Sequence, residues 1–176
     1  MLFRSVTISS VILCAMMAYA LSKKGVPGRK YIIFFFFFTT LFGGGLIPTF
    51  ILFRQIGIYD TFWVMVIPHL YSFFNAVIIR TFFMGIPASL PESATIDGAS
   101  ELDIFFKIMF PLSMPVLATI GLFIGVGNWN DWFTGQFYIQ KAELKPAATF
   151  LNQMISEASF ESMTARSDGS QIIQMN

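Results

Sequence analysis

The chain has 176 residues, of which 55% are hydrophobic and 12% charged, with 22 phenylalanines and a formal net charge of +1. A soluble domain of this size cannot hide that much apolar surface, so the composition points to a membrane protein. Nothing resembles a basic face for nucleic acid, and the single cysteine, Cys14, excludes an internal disulfide and a thiolate metal site.

The first predicted span, 5–22, is an uncharged run between Arg4 and Lys23. At about 1.5 Å per residue it nearly crosses a hydrocarbon core of roughly 30 Å. Its serines and threonine make it the weakest span, and Cys14 reads as a small buried hydrophobe within it. A secretory signal peptide competes with this reading, with Arg4 as its basic end and Ala18-Tyr19-Ala20 as a cleavage site. Cleavage would send Lys23, Lys24, Arg29 and Lys30 across the membrane, whereas such a cluster beside a span marks the cytoplasmic side. The loop KKGVPGRK is therefore expected to be a tight cytoplasmic turn.

The second predicted span, 31–53, is rich in Phe, Ile and Leu. Gly43, Gly44, Gly45 and Pro48 should loosen or kink it, either as a pore-side kink or as a face for close helix packing. A brief loop over 54–60 leads to the third, 61–84, uncharged as far as Arg80. His69, Ser72 and Asn75 are three residues apart and fall on or near one helical face, where they either line an aqueous path or bond to other helices. His69 is the only histidine, which rules out a two-histidine metal site.

From Ser89 to Pro115 the sequence SLPESATIDGASELDIFFKIMFPLSMP interrupts the apolar pattern. It predicts a helix, a glycine turn and a second helix. Ser89 with Glu92 forms a candidate capping box, and Pro91 is tolerated in the first turn. Asp97-Gly98 supplies the turn, Gly98 being able to take a positive φ. Ser100 with Asp103 repeats the capping pattern, Asp103 and Lys107 form an i,i+4 pair, and the second helix should start near Glu101 and run on into the next apolar segment. That segment, 108–130, is the fourth predicted span, and Asn128 near its end is a further candidate for a polar path. Trp129 and Trp132, with Phe133 and Tyr138, resemble an interfacial belt. Beyond Lys141 there is one amphipathic piece around Phe150, Leu151, Met154 and Ile155, then a polar tail, 159–176, with no pattern that demands order. Residues 1–158 thus form one all-α, polytopic helical bundle with a helix–turn–helix loop over 86–110.

Glu92-Ser93-Ala94, Asp97-Gly98-Ala99, Ile108, Pro111 and Pro115 together resemble the EAA loop of inner-membrane permease subunits of binding-protein-dependent ABC importers, in the carbohydrate-uptake branch. The resemblance extends to Gly43 through Thr49 and to Trp129-Asn130. It departs at Ser93, where alanine is usual, and at Phe110, where leucine is commoner. It implies a multi-pass subunit of the cell membrane, bathed in lipid, that passes a sugar or oligosaccharide. It also implies three partners: a second permease subunit, a cytoplasmic ATPase dimer that binds the ATP and receives the loop, and an extracytoplasmic solute-binding protein. The subunit would need no cofactor of its own. The resembling permeases have one more span before the first here and one after the tail, so an internal fragment is expected.

A phosphate-binding P-loop is missing, as are an HExxH zinc motif and a Gly-x-Ser-x-Gly nucleophile. These absences weigh against the rival reading of a membrane enzyme. A second rival, a helical scaffold, leaves the capped polar loop without a purpose. With the basic loop inside, the helix–turn–helix loop also lies inside and the C-terminal part outside.

Overall fold

The protein was analysed as a computed structural model, which describes residues 2–23 and 25–174, with side chains over 4–23, 25–161 and 163. Lys24, expected in the cytoplasm, lies outside the described residues. The regular structure is helical throughout the described residues. Its helices are α1 (Leu2–Ser22), α2 (Arg29–Leu41), α3 (Leu46–Ile56), α4 (Trp63–Val66), α5 (Phe73–Gly85), α6 (Ser89–Ile96), α7 (Glu101–Ile104), α8 (Phe110–Leu112), α9 (Met114–Trp129), α10 (Phe133–Tyr138) and α11 (Ala147–Gln174). A 3₁₀ turn, Ile67–His69, follows α4, and a π turn, Phe105–Met109, joins α7 to α8.

The predicted span richest in serine and threonine sits at the centre. Ser10, Cys14, Ala15 and Ala18 of α1 are all at most 1% exposed. Three of them recur every four residues, so α1 offers a strip of small side chains on which other helices can approach closely. α5 supplies Ala76, Ile79 and Phe83 to that strip, and α9 supplies Leu117, Ile120 and Ile124. A cleavable leader cannot form the middle of the core, which sets the signal-peptide reading aside.

Among the described residues, only α1 is long and apolar enough to cross a membrane unaided; the other candidate spans are bent pairs of helices. α2 and α3 meet at 115°, so the expected kink is a full break over residues 42–45. Gly45 causes it: at φ 78° and ψ 174° it occupies a region essentially restricted to glycine. A Cβ added at Gly43 or Gly45 would meet nothing within 4 Å, so these two glycines serve backbone shape and not close packing within this chain. The segments 63–69 and 73–85 meet at 43°. Pro68 has no N–H for the carbonyl four residues earlier, the helix tightens into the 3₁₀ turn, and α5 restarts with Ser72 as its cap.

The third bend corrects the expected run of the second loop helix into the span. Residues 101–112 and 114–129 meet at 81° across Ser113, and the crossing helix starts at Met114, not near Ile108. Pro111 and Pro115 leave the carbonyls four residues before them without an N–H, and the ladder widens into the π turn just ahead of Pro111. The C-terminal part differs too: α11 runs as one helix to Gln174, where an unpatterned tail was expected. Between 160 and 174 there is no proline and only one glycine, so little interrupts the helix.

At the end of the bundle away from the helix–turn–helix loop, Asp60 (φ 54°) accepts hydrogen bonds from the backbone N–H groups of Gln140 and Lys141, at 2.9 and 3.0 Å. Those two bonds, Lys141 first, hold its carboxyl below the usual carboxylate range. Phe53, Val64, Tyr138 and Ile139 form a small second core beneath it. α10 meets α11 at Gly135, where a Cβ would overlap Thr149 Oγ1 and lie 2.6 Å from Pro146 Cδ. Gly121 of α9 is roomier, its Cβ position being 3.5 Å from Val11 Cγ2. Gly135→Ala is therefore expected to cost about 1–3 kcal/mol by overpacking, while Gly121→Ala is tolerated. Thermal unfolding of the two variants in the same detergent checks this, and equal midpoints would refute the close α10–α11 contact.

Candidate functional site

The helix–turn–helix loop is built on a hydrogen-bonded reversal. Gly98 has φ +83°, its N–H donates to Thr95 O at 3.1 Å, and the Ala99 N–H donates to Ala94 O at 2.9 Å. This pair of bonds is a Schellman closure, which satisfies the last carbonyls of α6 and needs a left-handed residue at position 98. The second helix is capped as expected: Ser100 Oγ accepts from the Asp103 N–H at 3.2 Å. Asp103 pairs with Lys107 at 2.6 Å, and Lys107 first, then Ser100, keeps its carboxyl below the usual carboxylate range.

The first helix is not capped as expected. Ala88 is the N-cap of α6, without a side-chain bond, and Ser89 already lies inside the helix. The reason is Pro87, whose carbonyl accepts from the Leu90 N–H at 3.2 Å and starts the turn one step early. Glu92 makes no reciprocal cap; it is exposed and borders a groove with Lys23 and Arg29.

The motif residues divide by burial. Ala94 and Ala99 pack against the main core, where their size fits, while Glu92, Ser93, Asp97 and Gly98 face outward. Ile108 is half-buried and Pro111 exposed. Ile96, which the motif does not single out, is 86% exposed, and Leu102 of α7 is 61% exposed. The loop therefore presents a polar surface with an apolar centre, held at a fixed angle by Gly98.

A second polar constellation lies toward the other end of α1. His69, Ser72, Asn75 and Asn128 all border one open cleft of about 420 Å³, together with Ser10, Tyr71 and Asp131. They do not share a continuous helical face. His69 sits on the 3₁₀ turn, Ser72 caps α5 by accepting from the Asn75 N–H at 3.4 Å, and Asn128 comes from α9. The break after Pro68 separates them along the chain and the packing of α5 on α1 brings them back together. His69 Nε2 lies 3.4 Å from Asp131 Oδ2, and its Nδ1 lies 3.1 Å from Met65 O. Tyr71 Oη and Asn128 Nδ2 are buried there without a partner among the described residues. No group of three or more metal-ligating side chains occurs among the described residues.

Residues 5–173 match the family described as "Binding-protein-dependent transport system inner membrane component". The chain belongs to this family. It is a family of transport components, not of enzymes. The Bacillus subtilis polygalacturonan/rhamnogalacturonan transport system permease protein YtcP is 42% identical over 149 residues, covering 85% of this chain and 52% of YtcP. Protein LplC of the same organism is 43% identical over 138 residues, covering 78% of this chain and 47% of LplC. A solved bacterial ABC transporter involved in import of the acidic polysaccharide alginate superposes with a TM-score of 0.82 at 35% identity, over 85% of this chain and 54% of that one. The chain spans about half the length of these relatives.

Several residues of this inner-membrane component escaped the sequence reading. Glu101 Oε2 accepts from Tyr19 Oη at 2.9 Å and pairs with Lys23 Nζ, across 82 and 78 positions of sequence. Arg80 Nε donates to Leu21 O at 2.9 Å, closing the end of α1. Only Asp131 carried a local signal, as a lone carboxylate beside an aromatic belt. The two caps lead to opposite expectations. Ser100→Ala should weaken the start of α7 by roughly 1 kcal/mol, whereas Ser89→Ala should leave α6 unchanged. Amide hydrogen exchange over 86–110 distinguishes them, and equal protection in both variants would contradict the assigned caps.

Proposed function

We propose that this chain is the membrane-spanning part of a permease subunit in an ATP-driven ABC importer for a sugar or oligosaccharide. It lies in the cell membrane as a multi-pass helical bundle beside a second permease subunit. ATP is bound by a cytoplasmic ATPase dimer, and solute is delivered by an extracytoplasmic binding protein. The observation that carries this reading is the rigid α6–Gly98–α7 unit, which exposes Glu92, Ser93, Asp97 and Ile96 on one end of the bundle. A glycine-locked reversal with an exposed apolar centre suits docking into a cleft of another subunit. The printed names of the relatives support the solute class, since YtcP is named for polygalacturonan and rhamnogalacturonan and GanQ of Bacillus subtilis for galactooligosaccharides.

The polar cleft supports a solute path. Its unpartnered Tyr71 Oη and Asn128 Nδ2, with His69, Ser72 and Asn75, offer hydrogen bonds at membrane depth. With the basic loop in the cytoplasm, Asp97 lies inside and Lys145 outside.

The decisive experiment uses the complete complex with its ATPase and binding protein. Gly98→Val places a β-branched side chain at φ +83°, a local cost of about 1–3 kcal/mol that membrane assembly should survive. Membrane levels should stay normal while ATPase association and solute-stimulated hydrolysis fall; unchanged values in both would remove the docking assignment. Cysteine labelling from outside intact cells, in a Cys14→Ala background, should modify a cysteine placed at 145 and not one at 97.

A further inference from the structure

The far end of α1 is gathered into the loop by contacts that the sequence motif does not contain. Tyr19 is 9% exposed, its ring edge-on to Phe83 at 6.2 Å and tilted against Phe105 at 5.4 Å. These neighbours, one from α5 and one from the π turn, fix the ring so that its hydroxyl meets the first residue of α7. That residue is Glu101, which also pairs with Lys23, while the Lys23 ammonium lies 5.0 Å from the Tyr19 ring centroid. We propose that Tyr19 and Lys23 are positioning residues which hold Glu101 and so tie the second helix of the loop to α1, making α1 a direct receiver of loop movement.

The direct chain connection is the softer route. Between α7 and α9 lie the π turn, Pro111 and the 81° bend at Ser113, whose buried Oγ has no partner among the described residues. Such a jointed segment absorbs rotation. α1 by contrast runs unbroken for 21 residues without glycine or proline. Its last carbonyls accept from Arg80 Nε at Leu21 O and from Ser22 Oγ at Tyr19 O, 2.7 Å away, and Arg29 donates to Lys23 O just beyond the helix. Its other half borders the polar cleft through Ser10, and Cys14 Sγ lies 3.7 Å from Ser72 O, just ahead of α5. Lys23 first, then Tyr19, holds the Glu101 carboxyl below the usual range, which keeps the tie charged at neutral pH.

The inference rests on the coupling role proposed above, and the test separates the two. In the complete complex, Tyr19→Phe removes one hydroxyl and keeps the ring, and Lys23→Met keeps most of the side-chain bulk. The double variant is expected to retain ATPase association and basal hydrolysis, and to lose solute stimulation by roughly two- to fivefold, the range for a partly exposed charged link. Lys23→Glu should lose stimulation as well, and Lys23→Glu with Glu101→Lys should recover it. Full stimulation in the double variant, with stimulation lost in Gly98→Val, overturns the inference and leaves the coupling role standing. Full stimulation in both removes the coupling role and the inference with it. Loss of ATPase association in parallel with stimulation, or failure of the exchanged pair to recover, assigns these residues to folding and overturns the positioning role.

Discussion

Everything in this bundle depends on how closely α5 and α9 can approach α1. In lipid there is little hydrophobic gain from bringing helices together, because the tails are as apolar as the side chains; association relies on contact and hydrogen bonding. Cys14, Ala15 and Ala18 share one core with Ile79 and Ile120, and these residues and Ser10 are almost fully buried. Once that contact is made, both functional regions are positioned by the same helix. Tyr19 is placed against the loop at one end, and Ser10 against the polar cleft at the other.

The three bends share one physical difficulty. Each leaves backbone groups without helical partners, which lipid cannot satisfy, so broken backbone at membrane depth has to face protein or water. At Ser72 the side chain supplies the missing cap, and at Ser113 the N–H is shared between Met109 O and Phe110 O, at 3.1 and 3.2 Å. At the break over 42–45, Thr49 Oγ1 donates to Gly45 O at 2.7 Å, but no side chain caps the start of α3. Neighbouring α2 has no buried residue, and Phe34, Phe35 and Phe42 are all more than 60% exposed. The apolar surface of α2 suits lipid, while the broken backbone beside it suits cover by the proposed second permease subunit.

What could be read from the sequence was local in origin. The Asp97-Gly98 turn and the Ser100 cap depend on neighbours within five residues, and both stand where the residue types place them. Ser89 is the local exception, because Pro87 two positions earlier competes for the helix start. His69, Ser72, Asn75 and Asn128 do gather at one cleft, but the argument from a single helical face does not explain it, since Pro68 breaks that face. The serines and threonine that make α1 look the weakest span for lipid belong to a helix placed by its contacts with other helices. The Glu101, Tyr19 and Lys23 contacts join positions about 80 residues apart and have no local signature.

The loop and its attachments differ mechanically, and that difference bears on how the bundle works. α6 and α7 are locked to each other by the Gly98 closure and seated on the core by Ala94 and Ala99. The unit can therefore move as one body. Its link to α9 is interrupted by two prolines, a π turn and a sharp bend, each of which yields more readily than a regular helix. A rigid body on a compliant link transmits little unless a second attachment constrains its path. The contact of Glu101 with Tyr19 and Lys23 is such an attachment, and it ends at α1, a helix unbroken for 21 residues. In the coupling proposed here, two held points would turn rotation of the loop about its own turn into displacement along α1, toward the cleft that Tyr71 and Asn128 border.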